Sequence, residues 1–207
     1  YGYEHLVPTH QGRGAEHLLS TLCIKPGDVV LGNMYFTTTK AHQELAGGRF
    51  VDVICDEAHD PDDTSPFKGN VDPGKLKRAI DAAPQGRVAY LCLQMNVNMA
   101  GGQPVSLENV RQVSEVCRAR GVRVFLDATR AVENAYFIKL REPDQGHRSI
   151  AEILLELCSL TDGCTNSAKK DCLVNIGGFL AVNDPELAEQ ARNLVVVYEG
   201  LHTYGGL

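Results

Sequence analysis

Five short apolar runs punctuate this chain: DVVLG (28–32), RFVDVI (49–54), RVAYLCL (87–93), VRVFLD (122–127) and GGFLAV (177–182). Between them, apolar residues recur three and four apart, which predicts helices over about 13–23, 37–46, 73–82, 106–119, 149–159 and 184–197. Runs that are apolar throughout, rather than alternately, suit strands covered on both faces. Such strands alternating with helices predict an α/β fold on a mostly parallel, helix-covered sheet. Two helix starts are legible: Asp72 before Pro73, and Ser106 three residues before Asn109. In LENVRQVSEVCRARG, Leu107, Val110, Val113, Val116 and Cys117 form one apolar face, and Gly121 supplies a stop. Residues 56–73 read as the one long polar loop.

The 207 residues are long enough for one well-buried core. A formal charge of -6 without any basic block argues against nucleic acid as a partner, because phosphate binders cluster their lysines and arginines. Seven cysteines, an odd number without a Cys-x-x-Cys pair, suggest a reducing, cytoplasmic setting without a structural zinc. No apolar stretch approaches the roughly 20 residues of a membrane span. The first residue, Tyr1, and the final HTYGGL lead us to expect a fragment of a longer protein.

In a parallel sheet, ligands bind beyond the carboxyl ends of the strands, so the residues that follow each run carry the functional signal. TNSAKKDC (165–172) places Lys169 and Lys170 before the last apolar run. A solvated lysine pair is the bland reading. Near strand ends, however, a lysine of lowered pKa can form a Schiff base with an aldehyde cofactor. Asp127 ends VRVFLD, where an aspartate can bind metal, cap a helix, or hold the protonated ring nitrogen of such a cofactor. Arg130 follows three residues on and could reach the ring oxygen or the substrate. PTHQGRGAEHLLS (8–20) opens a helix with glycines, although neither the Walker nor the dinucleotide pattern is present. Gln11, Gly12 and Arg13 are therefore candidates for a phosphate, against a plain structural turn. Phe36 in GNMYFTTT offers a ring to stack on a flat cofactor, and Asn98 in NVNMAGGQP offers a neutral hydrogen-bonding group.

Taken in order, PTHQGRGAE, GNMYFTTT, AGGQPVS, DATRAVENAYFIK, SAKKDCLVNIGGFL and VVVYEG…TYGGL resemble the β-eliminating lyases across essentially the whole chain. The resemblance implies the fold-type I (aspartate aminotransferase-like) large domain, with pyridoxal phosphate as cofactor. It casts Lys170 as the Schiff-base lysine and general base, and Asp127 as the partner of the pyridinium nitrogen. Arg130 and Asn98 would contact the ring hydroxyl, and Phe36 would stack on the ring. Gln11, Gly12, Arg13, Ser167 and Lys169 would hold the phosphate. Asn175 would help bind a monovalent cation, normally potassium, at a subunit interface, and a homotetramer is implied. Tyr204 lies in the end motif without an assigned role.

The stretch NMYFTTT resembles the tyrosine-cleaving branch of that family, in which Thr37 would bond the phenolic hydroxyl. The implied reaction is β-elimination of L-tyrosine to phenol, pyruvate and ammonia. Ala168, QMNVN, Leu201 and His202 depart from that branch, so tryptophan cleavage to indole is the alternative. Outside catalysis, a cofactor-free scaffold or interaction domain is the competing reading. The resemblance also implies an upstream arm and a downstream small domain outside these residues. The isolated 207 residues, residues 1–207 of a large domain, are accordingly expected to turn over poorly.

Overall fold

A computed structural model of the chain describes residues 1–84 and 86–201. Its strands are β1 (His5–Thr9), β2 (Val29–Gly32), β3 (Arg49–Asp52), β4 (Val88–Gln94), β5 (Val124–Asp127), β6 (Gly163–Ser167) and β7 (Gly178–Val182). Its helices are α1 (Gly12–Cys23), α2 (Thr37–Leu45), α3 (Pro73–Ala82), α4 (Leu107–Arg118), α5 (Ala131–Arg141), α6 (Ile150–Ser159) and α7 (Pro185–Tyr198). The strands form one sheet in the order β1-β7-β6-β5-β4-β2-β3. Strands β2 to β6 run parallel, and β7 lies antiparallel between β6 and β1.

Successive strand residues face opposite layers, and both layers are apolar. Leu31, Leu91, Leu93 and Leu126 pack beneath α3 to α6 through residues such as Leu76, Val110, Ile138 and Leu157. Val30, Tyr90, Cys92 and Phe125, from the alternate positions, pack beneath α1 and α7 through Leu18, Leu187 and Ala191. The sheet is therefore sandwiched, as the continuous apolar runs require. The caps form as expected. The Asp72 carboxylate accepts the Lys75 N–H at 2.8 Å, and the Ser106 hydroxyl accepts the Asn109 N–H at 3.1 Å.

Three elements go beyond the sequence reading: β1, β6 and α5. The loop at 56–73 also proves more ordered than its composition suggests. It contains a 3-10 turn at Asp56–His59, and the buried Lys68 amine donates to the Asp63 carbonyl at 3.0 Å and to that of Asp60. No helix of the described residues is long and apolar enough to cross a membrane.

Candidate functional site

The carboxyl ends of β2, β4, β5 and β6 and the start of α1 surround a cavity of about 220 Å³. Ten of the residues singled out in the sequence line it: Gln11, Gly12 and Arg13 from α1 and its approach, Phe36 before α2, Asn98 after β4, Asp127 and Arg130 after β5, and Ser167, Lys169 and Lys170 from β6 onward. They come from sites up to 159 residues apart in the chain and are united only by the sheet order.

One end of the cavity gathers groups that can face an anion. α1 begins at Gly12 without a side-chain cap on its first N–H groups and without an acidic residue in its first turn. Free N–H groups and the helix dipole therefore face outward there. Gly12 is needed for contact: a Cβ at this position would lie 2.7 Å from Ser167 Cβ and 3.0 Å from its Cα. The same approach brings Lys169 Nζ to 2.9 Å from Gln11 Oε1, to which it donates. Arg13 is exposed, and no described residue forms an ion pair with it.

The other end carries the acid and the amine. Asp127 opens partly onto the cavity but lies deep beneath the surface. Desolvation pushes its carboxyl above the usual range, opposed by hydrogen bonding from Thr129 and by the charge of Lys170. The Thr129 N–H donates to Asp127 Oδ1 at 3.2 Å, and the Thr129 hydroxyl accepts the Ser167 N–H at 3.1 Å, so one residue ties the two strand ends together. Both lysines are half-buried, which removes the solvated-pair reading. Burial lowers the Lys170 amine below the ordinary lysine range, reinforced by the like charges of Lys169 and Arg130. Its Nζ reaches the Ser167 hydroxyl at 3.4 Å. The lysine turn is fastened from behind, where Asp171 Oδ2 accepts the Val132 N–H at the start of α5 at 2.8 Å. Arg130 is held by Glu133 at 3.2 Å.

Two expected site residues are not in the cavity wall. Thr37 is the exposed first residue of α2, and its neighbour Thr38 lines the cavity instead. Asn175 is exposed in the segment between β6 and β7, and no group of three or more His, Cys, Asp or Glu that could hold a metal occurs among the described residues. Leu201 is exposed, and His202 and Tyr204 lie outside the described residues. The wall also includes Glu16, Gln94, Met95, Asn96 and Thr129, none of which has a site role in the sequence analysis. Gln94, Met95 and Asn96 stand where β4 ends, so the strand-end rule alone would have found them. Thr129 sits between Asp127 and Arg130, whereas Glu16 shows in the sequence only as an acid on the apolar face of α1.

Residues 1–205 match the model of the Beta-eliminating lyase family. The chain belongs to that family. Among curated members, it is 62% identical over all 207 residues to a tyrosine phenol-lyase of Nostoc punctiforme, covering 44% of that protein. It is 59% identical, again over its whole length, to tyrosine phenol-lyases of Symbiobacterium thermophilum and Pasteurella multocida, covering 45% of each. The chain thus spans less than half the length of these relatives. Solved structures share the architecture at low identity. An aminotransferase, TlmJ, of Streptoalloteichus hindustanus superposes with a TM-score of 0.63 at 21% identity, over 94% of this chain and 44% of that one. Cystathione gamma lyase CalE6 of Micromonospora echinospora gives 0.62 at 18%, over 93% and 42%. These likenesses show the fold, the helix-covered, mostly parallel sheet expected from the sequence. The β-eliminating lyase family implies pyridoxal phosphate, and the donor set fits it. A Gly12–Ser167 cradle with cations suits a phosphate, a buried acid suits a basic ring nitrogen, and a lysine of lowered pKa suits an aldehyde.

Proposed function

We propose that this chain is the cofactor-binding large domain of a pyridoxal-phosphate-dependent carbon–carbon lyase that splits L-tyrosine into phenol, pyruvate and ammonia. The observation that carries the reading is the meeting of Lys170 and Asp127 in one cavity, in a chain 62% identical to a tyrosine phenol-lyase along its whole length. When bound, the cofactor supplies the electron sink that makes the substrate α-carbon acidic. Lys170 would be the residue that holds the cofactor's aldehyde, and its amine would accept the substrate's α-proton on Nζ. Its lowered pKa keeps more of it neutral, and so able to accept that proton, than an ordinary lysine would allow. Asp127 holds a proton at the ring nitrogen. The N–H groups opening α1, with Gln11, Arg13, Ser167 and Lys169, would hold the phosphate, Phe36 would face the ring, and Arg130 and Asn98 would bond its hydroxyl.

We assign Thr37 to the phenolic hydroxyl of the substrate, which its place beside the cavity-lining Thr38 supports. Asn175 contributes to a potassium site between subunits. The exposed Leu173, Val174 and Ile176 around it support an interface there, within a homotetramer. All seven cysteines are free, which fits the reducing cytoplasm. The test is product release by the full-length protein. Phenol from L-tyrosine, abolished in Lys170→Ala together with visible cofactor absorbance, supports the reading. Indole from L-tryptophan as the main product replaces the substrate. A protein indifferent to added cofactor removes the reading altogether.

A further inference from the structure

Glu16 is the one ionisable residue of the cavity wall to which the proposed function gives no task. It projects from the apolar face of α1, near Ala15, Leu18 and Leu19, and is more than nine-tenths buried. Its Oε1 accepts one hydrogen bond, from the Thr39 hydroxyl at 2.8 Å. Its Oε2 is sealed from solvent without a hydrogen-bond partner among the described residues. No described lysine, arginine or histidine forms an ion pair with it. An ionised carboxylate in that setting bears a desolvation penalty that the hydroxyls of Thr39 and Thr38 do not offset, whereas the neutral acid has far less to lose.

The groups around Glu16 point the same way. Asp127 of β5 stands on the same cavity wall, and the buried Cys92 thiol of β4 feels the charges of both acids after its own desolvation. From α2 come the hydroxyls of Thr38 and Thr39, and from α1 itself the exposed Arg13. Two carboxylates on one cavity wall oppose each other's ionisation, and although Lys170 attracts Asp127 and Arg13 attracts Glu16, desolvation remains the largest influence on both acids. Asp127 has the Thr129 N–H and the attraction of Lys170 to favour its charge, whereas Glu16 has only the hydroxyls of Thr38 and Thr39 and the pull of the solvent-exposed Arg13.

We propose that Glu16 stands in this site as a neutral carboxylic acid, a positioning residue that leaves Asp127 as the only negative charge facing the ring nitrogen. The role given to Asp127 rests on the cofactor reading above; the protonation of Glu16 does not. Burial, and next the charge of Asp127, also push the Glu16 carboxyl above the usual range. A single carboxylate then matches the single proton of the ring nitrogen.

Infrared spectroscopy of the full-length holoprotein near pH 7.5 tests the proposal directly. A protonated-carboxyl stretch should be present, be lost in Glu16→Gln, and shift in frequency without vanishing in Thr39→Val. The Thr39 variant keeps the test alive if the glutamine variant does not fold. A spectrum without that band, or a band indifferent to both substitutions, overturns the proposal. A second readout follows from linkage. The unfolded chain releases the Glu16 proton above the ordinary glutamate range while the folded chain retains it, so wild type loses stability relative to Glu16→Gln as pH rises. The melting-temperature gap should widen in favour of the glutamine variant between pH 5 and pH 8, and a constant gap contradicts the proposal. Neither readout depends on visible cofactor absorbance, so loss of that absorbance would refute the cofactor reading while leaving the state of Glu16 decided on its own terms.

Discussion

Replacing Gly12 by alanine tests whether the cavity's anion end depends on close contact between α1 and β6. The added methyl would sit 2.7 Å from Ser167 Cβ, 3.0 Å from its Cα and 3.1 Å from its backbone nitrogen, about 0.7 Å inside ordinary contact at the tightest point. Two of those three atoms are main chain, so no rotamer change relieves the clash, and the helix start must move off the strand. Helix propensity does not oppose the change, because alanine favours a helix over glycine. The cost is overpacking, roughly 1–3 kcal/mol. If the bound state must close the gap again, this becomes a loss of about 5-fold to 150-fold in cofactor affinity. The assay is titration of the full-length apoprotein with pyridoxal phosphate, read by visible absorbance, beside the same titration with phosphate-free pyridoxal. Only the phosphorylated form should weaken. Gly146→Ala is the control, since its nearest neighbour would lie 3.8 Å away. Affinity of Gly12→Ala within twofold of wild type would refute the reasoning.

Two further outcomes follow. Asn134 is fully buried; its side chain accepts the N–H of Asn96 at 3.2 Å and of Val105 at 2.9 Å, and donates to the Val105 carbonyl at 2.9 Å. Truncation in Asn134→Ala strands these main-chain groups beside the cavity and should cost about 3 kcal/mol or more in denaturant unfolding; a loss below about 1 kcal/mol would contradict that bonding pattern. Lys169→Gln removes one of the like charges that lower the Lys170 amine, so its pKa should rise and attachment of phosphate-free pyridoxal should need a higher pH. An unchanged pH midpoint would count against that electrostatic account.

The parts of the fold that the sequence concealed share physical causes. β1, HLVPT, carries Pro8 and alternates between exposed and buried residues; it escapes a search for continuous apolar runs because it is an edge strand, where proline is tolerated. β6, GCTNS, is buried throughout, yet its residues are small or polar, and a Cβ at Gly163 would come within 2.5 Å of the Ala181 carbonyl. Its identity as a strand depends on partners far away in the chain. α5 leaves Tyr136 and Leu140 exposed while burying Ala131, Ala135 and Ile138, so its apolar residues do not mark one face. The site was more legible than the fold, because strand-end positions are chemically conspicuous. Lys170, Asp127 and Gly12 stand out as residue types at strand and helix ends, and the structure brings them to one cavity. Glu16 was not, because nothing local distinguishes a buried acid from one on a solvated helix face.

The covalent role proposed for Lys170 is the centre of the account, and reduction of the full-length holoprotein with borohydride, followed by peptide mass mapping, tests it most directly. The account predicts reduced cofactor on the peptide containing Lys170, at that residue and not at Lys169. Label on Lys169, or no label on either lysine, would contradict it.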